Sequence, residues 1–572
     1  MIRHRLAAIM CFFLFLFLSL AGAVGYYQLI KGPDLAREAA SMRNQQIEIK
    51  EWSRGEIYDR NHLLLTGSTT STALYCLPRD IKVDGTMPAD ESERISTAAK
   101  ILAGCLSISG LSSEDIQSEL EQANADGRGI VRLAANLEPE EIQAVGDSGL
   151  TGVIPAPLLK RYREDGFGVH LLGYVGKGDG LGKAGLEKLY DEVLAGSDSG
   201  QEIVSVKDAR GTTIQGLMFR MRQEQEKEKS CLVLTIDSRV QEVIEQAMNE
   251  RMAQGAVVVL DVNSKEVLAM ASRPSFNPYA DIEQLIKNDG QSILTNRALS
   301  RYHPGSIFKI LVAAAALEEE AVKWEDQFFC SGSYYFSEEV SISCWKEGGH
   351  GKLSFPEAFT NSCNPSFIEI ARKLNRNRLM EYVEKFHLTD ETLRGYNSDR
   401  DYSYVRIEPG GPALANACLG QQGVMLTPLE IASMIATIAD NGQWAPPSVI
   451  RYWINDEGSK TSLAPLAKEQ VISEQTARMV QELMKQTVIQ GTGKNAALEL
   501  VQVAGKTATA QEGKEISDEG EREILNTWFA GFFPADNPRW AIVVLAEDGT
   551  SGAADAAPIF KTIAESILTL LL

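Results

Sequence analysis

Apolar residues run without a polar face in two places along this chain. The first follows Arg3-His4-Arg5 and is uncharged from Leu6 through Ile30. Roughly 20 apolar residues span a bilayer as a helix, and flanking positive charge holds the N-terminus in the cytoplasm. The pattern predicts a cytoplasmic stub over 1–5, a single-pass transmembrane signal anchor over 6–30 and an extracytoplasmic remainder. Ala21-Gly22-Ala23 could serve a signal peptidase, but the run continues to Leu29-Ile30, past the about 7–15 residues of a cleavable apolar region. The second run, Ile310 to Leu317, lies behind a Pro304-Gly305 turn and predicts a helix buried on every side.

Elsewhere the pattern alternates. Residues 31–228 are polar, with short helical periodicity at Glu114–Ala123 and Pro139–Val145, and the charged run Gln223–Lys229 reads as a solvated connector. Beyond it, Cys231–Asp237 has strand character, Arg239–Met252 helical periodicity, and Gly255–Asp261 with Val267–Ala271 the look of a hairpin. Strands return at Trp528–Phe533 and Trp540–Ala546 after a largely helical middle. The expectation is an α+β domain over 229–572, one antiparallel sheet covered by helices, with its first and last strands paired. No repeat or low-complexity tract interrupts the chain.

A length of 572 residues allows two to four domains, and a hydrophobic fraction of 44% supplies a sizeable core. The net charge of -21, with no basic stripe to offset it, argues against a nucleic-acid partner.

The candidate chemistry starts at the second apolar run. Ser306 opens the helix, and Lys309 stands three residues on, on the same face. Burial disfavours an ammonium and pulls its pKa down from about 10.4 towards neutrality. A helix N-terminus favours negative charge on the serine oxygen, so the pair suits a nucleophile and its base. A bare Ser-x-x-Lys is common by chance. It gains weight from Asn361-Ser362-Cys363-Asn364 and Ala504-Gly505-Lys506-Thr507-Ala508-Thr509, which complete a three-part serine signature.

With these motifs the chain resembles the class B penicillin-binding proteins, monofunctional membrane-anchored peptidoglycan D,D-transpeptidases. Further matches are Arg54-Gly55-Glu56-Ile57-Tyr58-Asp59-Arg60-Asn61, Gly185-Leu186-Glu187, Gly420-Gln421-Gln422-Gly423, Thr427-Pro428 and Trp528-Phe529-Ala530-Gly531. The resemblance implies an elongated non-catalytic, dimerisation-like pedestal over 31–228 and a serine β-lactamase-like transpeptidase domain over 229–572. It implies a serine acyl-enzyme, covalent inhibition by β-lactams and no required cofactor.

Under this resemblance Ser306 is the nucleophile, Lys309 its base, and Ser362 a proton relay between the amines of Lys309 and Lys506. Asn364 would bind the substrate's backbone amide, Thr507 and Thr509 its terminal carboxylate, and the backbone amides of Ser306 and Thr509 would form the oxyanion hole. Arg54, Asp59 and Arg60 read as an ion-pair network rather than as catalytic groups. The family carries glycine where this chain has Ala508, and the added methyl is expected to narrow the cleft against bulky β-lactams. Implied partners are stem peptides, the lipid-linked precursor, a polytopic glycan polymerase and division, elongation or sporulation proteins.

Three rival classes remain. A penicillin-sensing receptor would need a cytoplasmic signalling domain, for which the residues before the anchor leave no room. A non-catalytic scaffold would not need the reactive side chains of all three motifs. A β-lactamase is disfavoured because no Glu-x-x-Leu-Asn stretch supplies a water-activating glutamate.

Cys330, Cys344, His350 and Cys363 form Cys-x13-Cys-x5-His-x12-Cys between the serine motifs. Three thiolates and an imidazole suit a closed tetrahedral zinc site. Some elongation-type relatives hold zinc at a place this one resembles. Outside the cytoplasm a Cys330–Cys344 disulfide competes, as do free thiols.

Overall fold

The computed structural model describes residues 2–27, 31, 44–48, 54–67, 69–83, 90–126, 130–176, 180–195, 202–206, 220–222, 230–390, 393–397, 403–464, 466–517 and 520–571. The expected connector Gln223–Lys229 lies outside these residues. The chain divides into two compact units. One comprises Met1–Ser53, Thr70–Leu159 and Ser197–Lys227, the other Arg54–Thr69, Lys160–Gly196 and Glu228–Leu572. The division is discontinuous where a single boundary near residue 228 was expected, because two segments of the presumed pedestal pack with the C-terminal unit.

The first unit contains a three-stranded sheet with Thr69–Cys76 between Val131–Ala134 and Val153–Lys160. Helices Glu91–Cys105, Ser113–Ala125 and Pro139–Asp147 accompany it. The helix at Ser113 starts at a reciprocal cap between Ser112 and Asp115, and it buries Ile116, Leu120 and Ala123 beside Ile95 and Leu102. A second sheet joins Asn44–Glu48, Glu202–Val206 and Arg220–Arg222.

Helix Ile2–Gly25 exposes Phe12 through Leu18 and Leu20. Among the described residues no helix is long and apolar enough to cross a membrane.

The second unit is built on five strands: β1 (Gly255–Asp261), β2 (Val267–Arg273), β3 (Ala504–Ser517), β4 (Gly520–Phe533) and β5 (Trp540–Ala546). They form an antiparallel sheet in the order β2-β1-β5-β4-β3, so the sheet's first and last strands do pair. Strand periodicity sorts the side chains. Ala256, Val258 and Leu260 join one core with Ala541, Val543 and Leu545, while Val257 and Val259 join the other with Ile542 and Val544.

Helices α1 (Ser238–Arg251) and α6 (Ala556–Leu571) cover the second face, and α4 (Pro428–Ala439) packs on β1 and β5 from the first. Helix α2 (Lys309–Glu318) packs against α3 (Asn364–Leu374) and α5 (Glu474–Ile489), in the same core as the first face of the sheet. These surroundings explain why Lys309 through Leu317 are all buried.

One strand lies elsewhere than expected. Cys231–Leu234 pairs parallel with Glu56–Tyr58 and antiparallel with Ile450–Ile454, in a separate four-stranded sheet. The family-like Arg54 and Glu187 meet beneath it. Arg54 Nε and Arg161 Nε each lie 2.5 Å from one oxygen of the fully buried Glu187, and Tyr162 donates its hydroxyl to it at 2.8 Å. Arg60 pairs with Glu266 at 3.0 Å, and Asp59 accepts from the backbone and hydroxyl of Ser238. Broken pairs here would leave uncompensated buried charge, so the network is structural.

Candidate active site

Ser306 lies in a short 3-10 turn, Gly305–Ile307, immediately before α2. Gly305 adopts φ +54°, which glycine permits at no steric cost. Its amide donates to Gly420 O at 2.9 Å, and a Cβ on Gly420 would come within 2.1 Å of Gly305 O. The Gly420–Gly423 stretch is therefore the cradle under the nucleophile turn, and the missing Cβ allows the close approach. His303 Nδ1 lies 2.8 Å from Val424 O on the same cradle.

The second motif sits on the tight turn before α3. Ser362 is buried and holds φ +51°, a conformation costly for a non-glycine residue, by about 1–3 kcal/mol. This geometry places its Oγ 2.9 Å from Ser306 Oγ. Lys309 Nζ lies 2.9 Å from Ser362 O, 3.2 Å from Ser362 Oγ and 2.8 Å from Asn364 Oδ1. Asn364 Nδ2 donates to Ser343 O at 3.1 Å. Ser362 Oγ thus lies within hydrogen-bond reach of both Lys309 Nζ and Ser306 Oγ.

Burial pulls Lys309 down to about 8. Its neutral amine has one lone pair and two protons. The carbonyl of Ser362 and the amide oxygen of Asn364 accept only, so the lone pair must face the Ser362 hydroxyl. Ser362 then has its oxygen free to accept from Ser306. In the structure Lys309 Nζ donates to Ser362 Oγ and Ser362 Oγ to Ser306 Oγ; with the amine neutral both bonds reverse, and a proton can pass from Ser306 through Ser362 to Lys309.

The third motif is the outer edge of the sheet, on β3. Lys506 is fully buried and its Nζ donates to Thr507 O at 3.3 Å. Among the described residues no hydrogen bond joins Lys506 to Ser362, so the expected position of Ser362 between two amines is met on the Lys309 side. Burial, and then the charge of Lys309, hold Lys506 well below the ordinary lysine range. Thr507 donates its hydroxyl to Thr492 Oγ1 at 2.6 Å, and Thr509, which is exposed, accepts from Gly552 N at 3.3 Å.

Thr492 is a site residue that sequence reading passed over. Its only outward signal is the Gly491-Thr492-Gly493 turn after α5. Ala508 is buried at 4% exposure, and a Cβ built on Gly305 would meet its methyl at 3.3 Å. The methyl is turned towards the nucleophile turn.

Cys330, Cys344, His350 and Cys363 converge, their ligand atoms all within 4.8 Å of one another. Cys330 and Cys344 are unbridged in the structure. Cys344 Sγ lies 3.4 Å from His350 Nδ1, and Ser366 donates to Cys363 Sγ at 3.1 Å. The Cys363 thiol directed at Cys344 holds the latter below the ordinary thiol range. Three thiols and an imidazole closing on one point fit a tetrahedral zinc ion.

The family profile described as "Penicillin binding protein transpeptidase domain" matches residues 255–565, and "Penicillin-binding Protein dimerisation domain" matches residues 50–227. The chain is 29% identical to "Stage V sporulation protein D" of Bacillus subtilis, over 98% of this chain and 85% of that relative. It is 27% identical to "Peptidoglycan D,D-transpeptidase FtsI" of Escherichia coli, over 98% and 91%. Among solved structures, penicillin binding protein 3 of Mycobacterium tuberculosis complexed with ampicillin superposes with a TM-score of 0.61. That match has 25% identity and covers 91% of this chain and 95% of the other.

Proposed function

The chain belongs to the penicillin-binding protein transpeptidase family, and from that premise we propose how its residues cross-link peptidoglycan stem peptides. It is a class B enzyme, a serine-type D-Ala-D-Ala transpeptidase that β-lactams acylate. The observation that carries the mechanism is the hydrogen-bonded path from Ser306 Oγ through Ser362 Oγ to Lys309 Nζ.

Neutral Lys309 accepts the Ser362 proton as Ser362 takes that of Ser306. The Ser306 oxygen attacks the carbonyl carbon of the D-Ala-D-Ala amide, and the charge developing on the carbonyl oxygen is met by the Ser306 and Thr509 amides. Such a donor is worth about 3 kcal/mol in comparable sites. The proton returns along the same path to the leaving nitrogen, the C–N bond breaks and D-alanine departs. An acceptor amine then attacks the acyl-serine ester, releasing Ser306 with its proton restored and leaving a new amide bond.

Lys506, Thr507 and Thr509 receive the terminal carboxylate. An arriving anion favours the ammonium form of Lys506, which burial alone disfavours. Asn364 orients the donor peptide with the capacity left over from Lys309 and Ser343.

The reading extends to the rest of the chain. The uncharged run Leu6–Ile30 behind Arg3 and Arg5 serves as a single-pass membrane anchor with the bulk of the protein outside the cell. Residues 31–228 act as a non-catalytic pedestal and 229–572 as the catalytic domain. No stretch resembles a glycan polymerase, so a polytopic polymerase and proteins of division, elongation or sporulation are its partners. Cys330, Cys344, His350 and Cys363 hold a structural zinc, which ties the turn bearing Ser362 to the segment before it and takes no part in proton transfer. Fluorescent penicillin should label the wild type and not Ser306→Ala, and only the wild type should join a D-Ala-D-Ala donor to an amine. Labelling of both proteins alike would sink the assignment.

A further inference from the structure

Resting on the transpeptidase reading, we propose that Thr492 is a positioning residue for recognition of the substrate's terminal carboxylate. It acts by setting which way the Thr507 hydroxyl points. The two hydroxyl oxygens are 2.6 Å apart. Thr507 is largely buried at 7% exposure, and Thr492 sits on the short turn that follows α5.

That turn is pinned to the second motif. Thr492 N donates to Thr360 O at 3.3 Å, two residues before Ser362, and a Cβ on Gly491 would come 2.4 Å from the same oxygen. Thr492 therefore bridges β3 to the turn that carries the proton relay. Its place is determined by backbone contacts and does not depend on the substrate.

A carboxylate only accepts hydrogen bonds, so any hydroxyl that binds it must donate, and a threonine has one proton to give. In the structure the Thr507 hydroxyl donates to Thr492. When a carboxylate docks, both hydroxyls rotate. Thr492 donates to Thr507, and Thr507 turns its proton to the anion. Charge on the acceptor strengthens such a chain, because each donor polarises the next. Without the Thr492 hydroxyl, Thr507 loses the partner that compensates its oxygen. A neutral ester in place of the carboxylate gains little from the ordered chain, and this separates positioning from mere packing.

The test measures second-order acylation rates for benzylpenicillin and for its methyl ester with wild type, Thr492→Val and Thr492→Ser. Thr492→Val is expected to slow the carboxylate form about 10-fold and the ester less than about 2-fold, and Thr492→Ser to restore most of the loss. In a Thr507→Val background, adding Thr492→Val should cost less than about 2-fold, because the two hydroxyls act as one unit. Thr492→Ala carries the same comparison if the valine variant does not fold. Equal slowing of acid and ester, or no slowing of either, would overturn the proposal. A wild type that no penicillin acylates would overturn the transpeptidase reading first, and the role of Thr492 with it.

Discussion

Ser362 Oγ lies 2.9 Å from Ser306 Oγ and 3.2 Å from Lys309 Nζ, so the base and the nucleophile communicate through a second serine. The relay requires the φ of +51° at Ser362, because an ordinary helical conformation at that residue would turn the hydroxyl away. Ser362→Ala removes the relay without removing either end. Acylation by benzylpenicillin is expected to fall by about 10²–10³-fold while the fold persists. Stopped-flow acylation and circular dichroism on the same sample check both halves.

The amine at the end of the relay sets a pH dependence. Lys309 must be neutral to accept a proton, and burial brings it to about 8. Acylation should therefore rise with unit slope in log rate as pH approaches about 8 and level off above it. Stability follows the same sign. Between about 8 and the ordinary 10.5 the unfolded lysine holds a proton that the folded one has lost, so the folded state gains stability as pH rises through that window. A profile that falls between pH 6 and 8 would show that the ammonium form is the active one.

Much of this site could be read before any coordinates, and for physical reasons. A lysine among eight uninterrupted apolar residues is buried whatever the fold, and burial alone moves its proton. The three motifs carry their chemistry in side-chain type and order. The partner of Cys231–Leu234 was not legible, because period-two alternation says which face a residue shares and is silent about which strand lies alongside. Thr492 gave no signal beyond a glycine-flanked turn, since its role depends on Thr507 reaching it across a tertiary contact. The suppressed charge of Lys506 likewise depends on burial and then on Lys309, far away in sequence. At Ala508 strand parity adds to what the motif says. It shares a face with buried Lys506 and not with exposed Thr509.

That parity changes what Ala508 should do. Its methyl packs towards Gly305, where the lack of a side chain makes room for it. Ala508→Gly then loosens the strand and the support of the nucleophile turn, at a cost of about 1 kcal/mol. Acylation by bulky and small β-lactams should change by the same factor, so that their ratio stays within about 2-fold of wild type. Thermal unfolding and a matched pair of β-lactams measure the two effects. A selective gain for the bulky compound would return Ala508 to the cleft wall.

The thiol cluster supplies the last prediction, because Cys363 is covalently next to Ser362. A zinc ion drawn to Cys330, Cys344, His350 and Cys363 would hold the turn at that strained residue through one of its own neighbours. Purified protein should carry about one zinc per chain, and Cys330→Ser should weaken retention by at least about 10-fold. Chelation should lower the unfolding temperature, since the ion binds the folded arrangement and not the unfolded chain. Acylation should slow in step, because the turn that aligns Ser362 with Ser306 loses its tether. The readouts are elemental analysis, thiol counting and penicillin labelling on one preparation. Protein that retains full labelling after complete metal removal would separate the cluster from the relay. Protein with two thiols missing and no zinc would replace the metal by a disulfide.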